Sequence, residues 1–183
     1  MDENKDSRNL NDEYKGLPVE VIAQVLVGKR NSLEVAIENL EHDFNVGTIV
    51  RSANNFNVDK LHIIGRRKYN RRGAMCTEKY LEVVYWSELK DFILDQRERG
   101  RELVAIENQI KQAKPLALKR FVQRTTLLFG SEGHGLTRDA IQLADDVREI
   151  ESFGTTRSVN VGVAAGIAMY EWVRQCVLGR VDE

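Results

Sequence analysis

Short apolar runs alternate along the chain with stretches in which apolar residues recur every three or four positions. The runs have the length and β-branched content of buried strands, and the stretches between them have helical spacing. Strands that alternate with helices predict a single-domain α/β fold with a mostly parallel sheet flanked by helices. The predicted strands are LEVAIENL, KLHIIG, LEVVYW, RELVAIEN, TTLLFG and DVREIES, in chain order.

Residues that favour helix ends mark several of the predicted helices. Pro18 suits the first turn of a helix in LPVEVIAQVLVGK, and Gly28 suits its end. Ser87 and Thr137 are candidate caps for helices in SELKDFILDQRERG and LTRDAIQLA, and Gly100 would close the first of these. Further helices are predicted in NVGTIVRSANNF and in SVNVGVAAGIAMYEWVRQCVLG.

The 183 residues suffice for one domain of ordinary size with a substantial core. Residues 1–16 have few apolar groups and mixed charges, so a disordered tail is expected there. Residues 17–32 would form a short N-terminal helical extension, and residues 33–179 would form the main domain. We see no internal repeat.

Composition narrows the class of protein. Hydrophobic residues make up 42% and charged residues 30% of the chain, which is typical of a soluble globular protein. No apolar stretch approaches the ~20 residues of a membrane span, and the polar start lacks a signal-peptide core. Cys76 and Cys176 have no spacing that suggests a zinc site or a disulfide framework, so we expect a cytoplasmic protein without a metal. The net charge of −1 is compatible with a local basic surface.

The segment FGSEGHGL, residues 129–136, lies between a predicted strand and a predicted helix. Its three glycines permit unusual backbone angles and the close approach of a ligand. This arrangement suits an anion or nucleotide site, but it also suits any tight connection between a strand and a helix. The spacing is not that of the dinucleotide fingerprint G-x-G-x-x-G, and the lysine of a P-loop is missing.

Two further segments combine polar residues with close packing. In NVGTIVRSANNF, Asn45 lies at the helix start, where it can cap free amides, and Arg51 follows at the edge where ligand crevices form. A lone arginine there would ordinarily be a surface residue in a modest ion pair. In TTRSVNVGVAAGIAMYEW, small residues permit tight packing, but packing alone does not explain Ser158 and Asn160 at the helix start.

Together, NVGTIVRSA, LLFGSEGHGL and RSVNVGVAAGIAMYEW resemble the three motifs, in order, of the SpoU (TrmH-like) family of RNA 2′-O-ribose methyltransferases, which belongs to the SPOUT class. The resemblance covers roughly residues 33–178. It implies S-adenosylmethionine as methyl donor, an RNA substrate and a homodimer with the active site at the subunit interface. It also implies a trefoil knot near the carboxyl end, which is a rare exception among folds.

The resemblance also assigns roles to individual residues. The implied catalytic residues are Asn45, Arg51, Glu132, Ser158 and Asn160. The donor would be held mainly by main-chain groups, and the implied donor-binding residues are Gly130, Gly133, Gly135, Ile150, Val159 and Asn160. The chain departs from many relatives at Glu151, where proline is common, and at Gly162, where serine is frequent. Neither departure removes a matched catalytic side chain.

The role of Arg51 is a chemical question, because a ribose hydroxyl is a poor nucleophile near neutral pH. Catalysis must align the oxygen with the methyl carbon and sulfur, and it must deal with the leaving proton. Arg51 could act as a base in an unusual site, or it could stay charged and stabilise the developing alkoxide while phosphate or solvent takes the proton. We prefer the second interpretation, since a guanidinium is not readily deprotonated in proteins.

The segment RRKYNRR, residues 66–72, directly follows the predicted strand KLHIIG and has five basic residues around Tyr69. Such a run is often only a solvated loop. Because it follows a strand of the catalytic sheet, we expect it to bind RNA phosphates while Tyr69 stacks on a base. The predicted RNA-binding residues are Arg66, Arg67, Lys68, Arg71, Arg72 and Arg157.

These features favour an enzyme that methylates a ribose 2′-hydroxyl in tRNA. About 30 residues precede the first predicted strand. A catalytic domain with so short an extension resembles the tRNA members of the family more than the rRNA members, which have an added domain. The motif GTTRSVN resembles members that act on the D-loop guanosine. The alternatives are an rRNA methyltransferase, an RNA-binding module of the same fold without catalysis, and an unrelated nucleotide-binding α/β protein.

Overall fold

The computed structural model describes residues 10–39, 45–108 and 110–180. Within them, seven strands form one sheet in which every neighbouring pair is parallel, which confirms the predicted fold class. The strands are β1 (Asn31–Asn39), β2 (Val58–Gly65), β3 (Glu82–Trp86), β4 (Glu102–Ile106), β5 (Lys114–Pro115), β6 (Thr125–Phe129) and β7 (Asp146–Glu149). They lie side by side in the order β3-β2-β1-β6-β4-β7-β5.

Five α-helices and four short 3₁₀ turns accompany these strands in the described part of the chain. The helices are α1 (Val19–Val27), α2 (Asn45–Asn55), α3 (Leu89–Glu98), α4 (Arg138–Leu143) and α5 (Val161–Cys176). The 3₁₀ turns are Asp12–Tyr14, Arg71–Ala74, Thr77–Tyr80 and Leu178–Arg180.

Apolar side chains on the two faces of the sheet form two separate cores. On one face, Leu33, Val35 and Ile37 of β1 belong to a core shared with α2 and α5. On the other face, Ala36 belongs to a core shared with α3 and α4. Because both faces are covered, the central strands read as nearly continuous apolar runs in the sequence.

The strand order places the carboxyl ends of β1, β6 and β4 next to one another. The chain reaches β6 by crossing back from the edge strand β5, and the crossing segment is held by buried groups. Arg148 Nη1 donates to the backbone oxygen of Lys119 at 2.8 Å, and its guanidinium lies 3.9 Å from the ring centre of Phe121. Trp172 Nε1 of α5 donates to the backbone oxygen of Val122 at 3.1 Å.

The N-terminal segment differs from the predicted disordered tail. Tyr14 is buried and packs in a small core with Ile22 of α1 and Tyr80. Residues 1–9 of that tail, and Leu40 at the end of a predicted strand, lie outside the described residues. Aromatic packing of Tyr14 on α1 is a tertiary contact, which the polar composition of the segment does not reveal.

The predicted helix caps have mixed outcomes. The Thr137 cap is confirmed, because Thr137 Oγ1 accepts a hydrogen bond from the Ala140 amide at 3.2 Å. The Ser87 cap is wrong, since α3 is preceded by Glu88 as its cap residue, without a side-chain hydrogen bond. Gly100 follows this helix with φ of +61°, in the region that favours glycine.

Strand β1 carries a fully buried carboxylate, Glu34, on the face that packs against α3. It accepts hydrogen bonds from Arg99 and from His62 Nε2, the latter at 2.8 Å, and Arg101 Nε lies 3.4 Å away. Trp86 Nε1 donates to His62 Nδ1 at 3.0 Å, which leaves Nε2 as the donor toward Glu34. Burial raises the pKa of Glu34, but the His62 and Arg99 hydrogen bonds outweigh it and bring this pKa down to about 2.

Candidate active site

The loop after β6 folds back on itself so tightly that two of its glycines have no space for a side chain. The Gly135 amide donates to the Ser131 carbonyl at 2.9 Å, and these residues form an antiparallel bridge. A Cβ atom on Gly130 would overlap the backbone of Gly135. Gly135 itself has φ of +66°, which other residues rarely adopt. The backbone of this loop therefore requires glycine at both positions.

Two carboxylates hold the end of this glycine-rich loop. Glu107, the residue after β4, accepts a hydrogen bond from the Leu136 amide at 2.7 Å. Glu38, near the end of β1, accepts hydrogen bonds from the amide of Thr137 at 2.8 Å and from its hydroxyl at 2.9 Å. Because β1 and β4 flank β6, the loop is anchored from both sides.

Three side chains, one from each motif, form a hydrogen-bonded cluster, which we call the Asn–Glu–Asn cluster. Asn160 Nδ2 donates to Asn45 Oδ1 at 2.9 Å and to Glu132 Oε1 at 2.8 Å. Asn45 Nδ2 donates to the other carboxylate oxygen of Glu132. Asn160 Oδ1 accepts hydrogen bonds from the amides of Gly162 and Val163, so the same side chain caps α5.

A cavity of about 420 Å³ opens beside the Asn–Glu–Asn cluster, at the carboxyl ends of β4 and β6 and the start of α5. Ligand crevices of open α/β sheets lie at this edge. Folding brings to this cavity most of the site residues that the resemblance implied, namely Gly130, Glu132, Gly133, Gly135, Ser158, Val159 and Asn160.

Two predicted site residues lie elsewhere. Ile150 lines a second cavity, of about 460 Å³, together with Leu116 and Tyr170, and it is not brought to the first one. Arg51 is exposed on α2 and does not line the first cavity. In the described part of the chain Arg51 forms no hydrogen bond or ion pair, so the surface ion pair considered for it is not found there.

The basic segment of residues 66–72 packs against α2 and exposes all five of its cations. Its position is set by the Asn39 side chain, which donates to two of its backbone oxygens, and by Gly47 of α2. A Cβ on Gly47 would lie 2.6 Å from the Asn70 oxygen. Tyr69 is buried in the core, and this burial raises its pKa to about 12. The prediction that Tyr69 stacks on an RNA base is therefore wrong.

Sequence reasoning missed Glu107 and Asn108, which both line the first cavity. Asn108 Nδ2 donates to the backbone oxygen of Arg157 at 3.1 Å, which ties the exposed segment before α5 to the end of β4. Arg157, a predicted RNA contact, is exposed in that segment. A signal was present, because two polar residues directly follow the apolar run of β4, at the edge where ligands bind.

The chemistry of the first cavity favours a ligand with positive charge and apolar surface. Glu107 and Glu132 line it together with the apolar residues Phe129 and Val161, and no lysine or arginine of the described residues does so. Within the described ranges, no cluster of three or more potential metal ligands occurs. No described helix has the length and apolar character needed to cross a membrane.

Comparisons with known proteins place the chain among RNA-modifying enzymes. It matches the model of the SpoU rRNA Methylase family over residues 32–170. It is 26% identical over 157 residues to tRNA (guanosine(18)-2′-O)-methyltransferase of Escherichia coli K12, covering 84% of this chain and 68% of that protein. It is 28% identical over 161 residues to tRNA (guanosine(18)-2′-O)-methyltransferase TARBP1 of Mus musculus, covering 84% of this chain but 10% of that protein.

Solved structures show the same fold. The TrmH/SpoU tRNA modifying enzyme of A. aeolicus superimposes with a TM-score of 0.75 at 25% identity, covering 86% of this chain and 81% of that one. The SpoU methyltransferase AviRb of Streptomyces viridochromogenes, solved in complex with AdoMet, has a TM-score of 0.67 at 25% identity and covers 80% and 58%. The parallel sheet and these neighbours are consistent with the α/β knot that the resemblance implies.

Proposed function

Because the chain belongs to the SpoU rRNA methylase family, we propose that it transfers a methyl group from S-adenosylmethionine to a ribose 2′-hydroxyl in RNA. The observation that carries this proposal is the Asn–Glu–Asn cluster, in which Asn45, Glu132 and Asn160 join all three family motifs beside one cavity.

The cavity suits this methyl donor. S-adenosylmethionine supplies an activated methyl group on a positively charged sulfur, which the carboxylate of Glu132 would favour. Main-chain groups of the glycine-rich loop would bind the polar edge of adenine, and Phe129 and Val161 would contact its apolar surface. The AdoMet complex of AviRb supports the same donor here.

Arg51 would act on the acceptor. Methyl transfer breaks the carbon–sulfur bond, forms a bond between that carbon and the ribose oxygen, and releases the hydroxyl proton. Arg51 is exposed, and its guanidinium would stabilise negative charge on the ribose oxygen. Phosphate or solvent would take the proton. The Asn–Glu–Asn cluster, which includes Asn45 from the same helix, would orient the reacting groups.

We propose tRNA as the substrate, with the D-loop guanosine as its target. The names of the bacterial and mouse relatives specify guanosine 18 of tRNA. The exposed cations of residues 66–72 offer a phosphate-binding surface next to α2. Ribosomal RNA is the alternative, because the description of the family names it.

We also propose that two copies of the chain associate through α5. Val163, Ile167 and Tyr170 are 52%, 40% and 53% exposed, and their spacing places them on one face of this helix. Gly166 has open space beside it on the same helix. An exposed apolar stripe of this kind commonly marks a protein–protein contact. The homodimer implied by the resemblance would cover it.

The proposed reaction can be tested on purified protein with S-adenosylmethionine and unmodified tRNA or rRNA, followed by mass spectrometry of the nucleosides. We expect 2′-O-methylguanosine in tRNA. The matched control is a tRNA with deoxyguanosine at the target position, which lacks the acceptor oxygen and should take up no methyl group. Base methylation, or no product with either RNA, would refute the reaction. Product in rRNA alone would refute the tRNA assignment.

A further inference from the structure

Glu107 is a carboxylate of the cavity whose orientation is fixed by backbone groups. Its Oε2 accepts the Leu136 amide at 2.7 Å, and its Oε1 accepts the Asn108 amide at 3.0 Å. A Cβ atom on Gly135 would run into this carboxylate. The side chain is therefore held in one position, at the end of β4 and on the wall of the cavity.

The two backbone hydrogen bonds leave Glu107 with unused acceptor capacity. A carboxylate offers about four acceptor sites, so each of its oxygens can accept one more hydrogen bond. No lysine, arginine or histidine of the described residues forms an ion pair with it. Two adjacent hydroxyls of a ligand would supply one donor to each oxygen of this half-buried carboxylate.

We propose that Glu107 binds the ribose of the methyl donor by accepting hydrogen bonds from its 2′- and 3′-hydroxyls, an inference that rests on the proposed function. In dinucleotide-binding α/β domains, an acidic residue binds ribose hydroxyls in the same manner. The reacting sulfur must face the Asn–Glu–Asn cluster, where Glu132 is the nearby carboxylate. Glu107 lies at the end of a different strand, β4, and in this proposal it faces the sugar rather than the sulfur.

The test combines a protein variant with a ligand variant. Isothermal titration measures the affinity of wild type and Glu107→Gln for S-adenosylhomocysteine and for its 2′-deoxy and 3′-deoxy analogues. We expect Glu107→Gln to weaken binding of S-adenosylhomocysteine at least ~10-fold, since hydrogen bonds to charged groups are strong. The same substitution should weaken binding of the deoxy analogues much less, because each analogue already lacks one of the two hydroxyls that would donate to Glu107.

Glu38→Gln is the matched control, because Glu38 anchors the same loop through Thr137 but does not line the cavity. It should affect all three ligands by the same factor. Equal loss for all three ligands in Glu107→Gln would overturn the inference. So would deoxy analogues that bind wild type as tightly as S-adenosylhomocysteine, a result that does not depend on any variant folding.

Two further outcomes separate this inference from the proposed function. If wild type binds neither S-adenosylmethionine nor S-adenosylhomocysteine, the proposed function fails and the inference fails with it. If Glu107→Gln weakens S-adenosylmethionine far more than S-adenosylhomocysteine, Glu107 faces the positive sulfur. The ribose assignment is then wrong, while methyl transfer still holds.

Discussion

Asn160 Nδ2 donates a hydrogen bond of 2.8 Å to Glu132 Oε1, so the residue that precedes α5 is bonded to the glycine-rich loop. Its Oδ1 caps α5 by accepting the amides of Gly162 at 2.9 Å and Val163 at 3.3 Å. An asparagine amide can donate and accept at once, whereas an aspartate can only accept. Residue 160 therefore couples the start of the helix to the geometry of the site.

We expect Asn160→Asp to keep the cap of α5 but to lose the bond to Glu132 and place two carboxylates side by side. Aspartate caps helices as well as asparagine does, so the loss of stability comes from this repulsion and from the lost hydrogen bonds of Asn160 Nδ2 to Glu132 and Asn45. Methyl transfer should fall at least ~10-fold. Thermal unfolding and single-turnover methylation at pH 7 measure the two effects separately.

The companion variant for this test carries Glu132→Gln as well as Asn160→Asp. It restores an amide donor opposite a carboxylate acceptor, so it should recover most of the melting temperature that Asn160→Asp loses. Activity need not return, because Glu132 belongs to the site. A double variant no more stable than Asn160→Asp would contradict the pairing.

Arg51→Ala should remove ~3 kcal/mol or more of transition-state stabilisation, roughly a hundredfold in rate. Donor binding and melting temperature should barely change, because Arg51 is exposed and lies outside the cavity. Arg51→Lys keeps the charge but loses the planar fork, so we expect a partial rescue. Single-turnover methylation of tRNA by both variants gives the rates. A near wild-type rate for Arg51→Ala would show that the catalytic role is wrong.

Removing Arg71 and Arg72 together, each replaced by Gln, should weaken RNA binding and flatten its dependence on salt. Each lost phosphate contact lowers the slope of log K against log salt by ~0.7–0.9. The matched control is Lys90→Gln with Arg97→Gln, which removes two exposed cations from α3 on the opposite face of the sheet. Equal slopes for the two double variants would mean that residues 66–72 form only a solvated loop.

Ile167→Asp should shift the protein from about twice the 20.9 kDa chain mass to the monomer mass in light scattering. A carboxylate in the apolar stripe of α5 would lose its hydrating water when two chains associate, and this cost opposes the dimer. Leu94→Asp on α3 is the control, since Leu94 is 56% exposed and lies on the other face of the sheet. If wild type is already a monomer that methylates RNA at full rate, the interface is not required.

The free energy of unfolding should depend on pH in the acidic range because of Glu34. Its folded pKa of about 2 lies below the ordinary 4.5, so the unfolded state binds the proton first as pH falls. The contribution of Glu34 is thus present above pH ~4.5 and is lost as pH falls toward 2. Its upper limit is roughly 3 kcal/mol. Denaturant titrations of wild type and Glu34→Gln should converge over this range, and a constant gap would contradict the prediction.

Features that depend on residues close together in the sequence were predictable from the sequence. The run TTLLF became β6, all five residues of which are buried, because a strand covered on both faces is apolar throughout. The Thr137 cap depends on an amide three residues away. The three motifs indicated the family for the same reason, since each is a short continuous segment. Glu107 was missed because no motif contains it.

The sequence by itself determined the α/β class and the mostly parallel sheet, because hydrophobic periodicity acts locally, whereas the candidate catalytic residues came from the resemblance of its three motifs. Only the tertiary structure decided which polar groups meet. Asn45 and Glu132 are hydrogen-bonded although 87 residues separate them, since β6 inserts beside β1. The same packing buried Tyr69 and left Arg51 exposed. Burial depends on which elements cover a position, and that is a property of the whole fold.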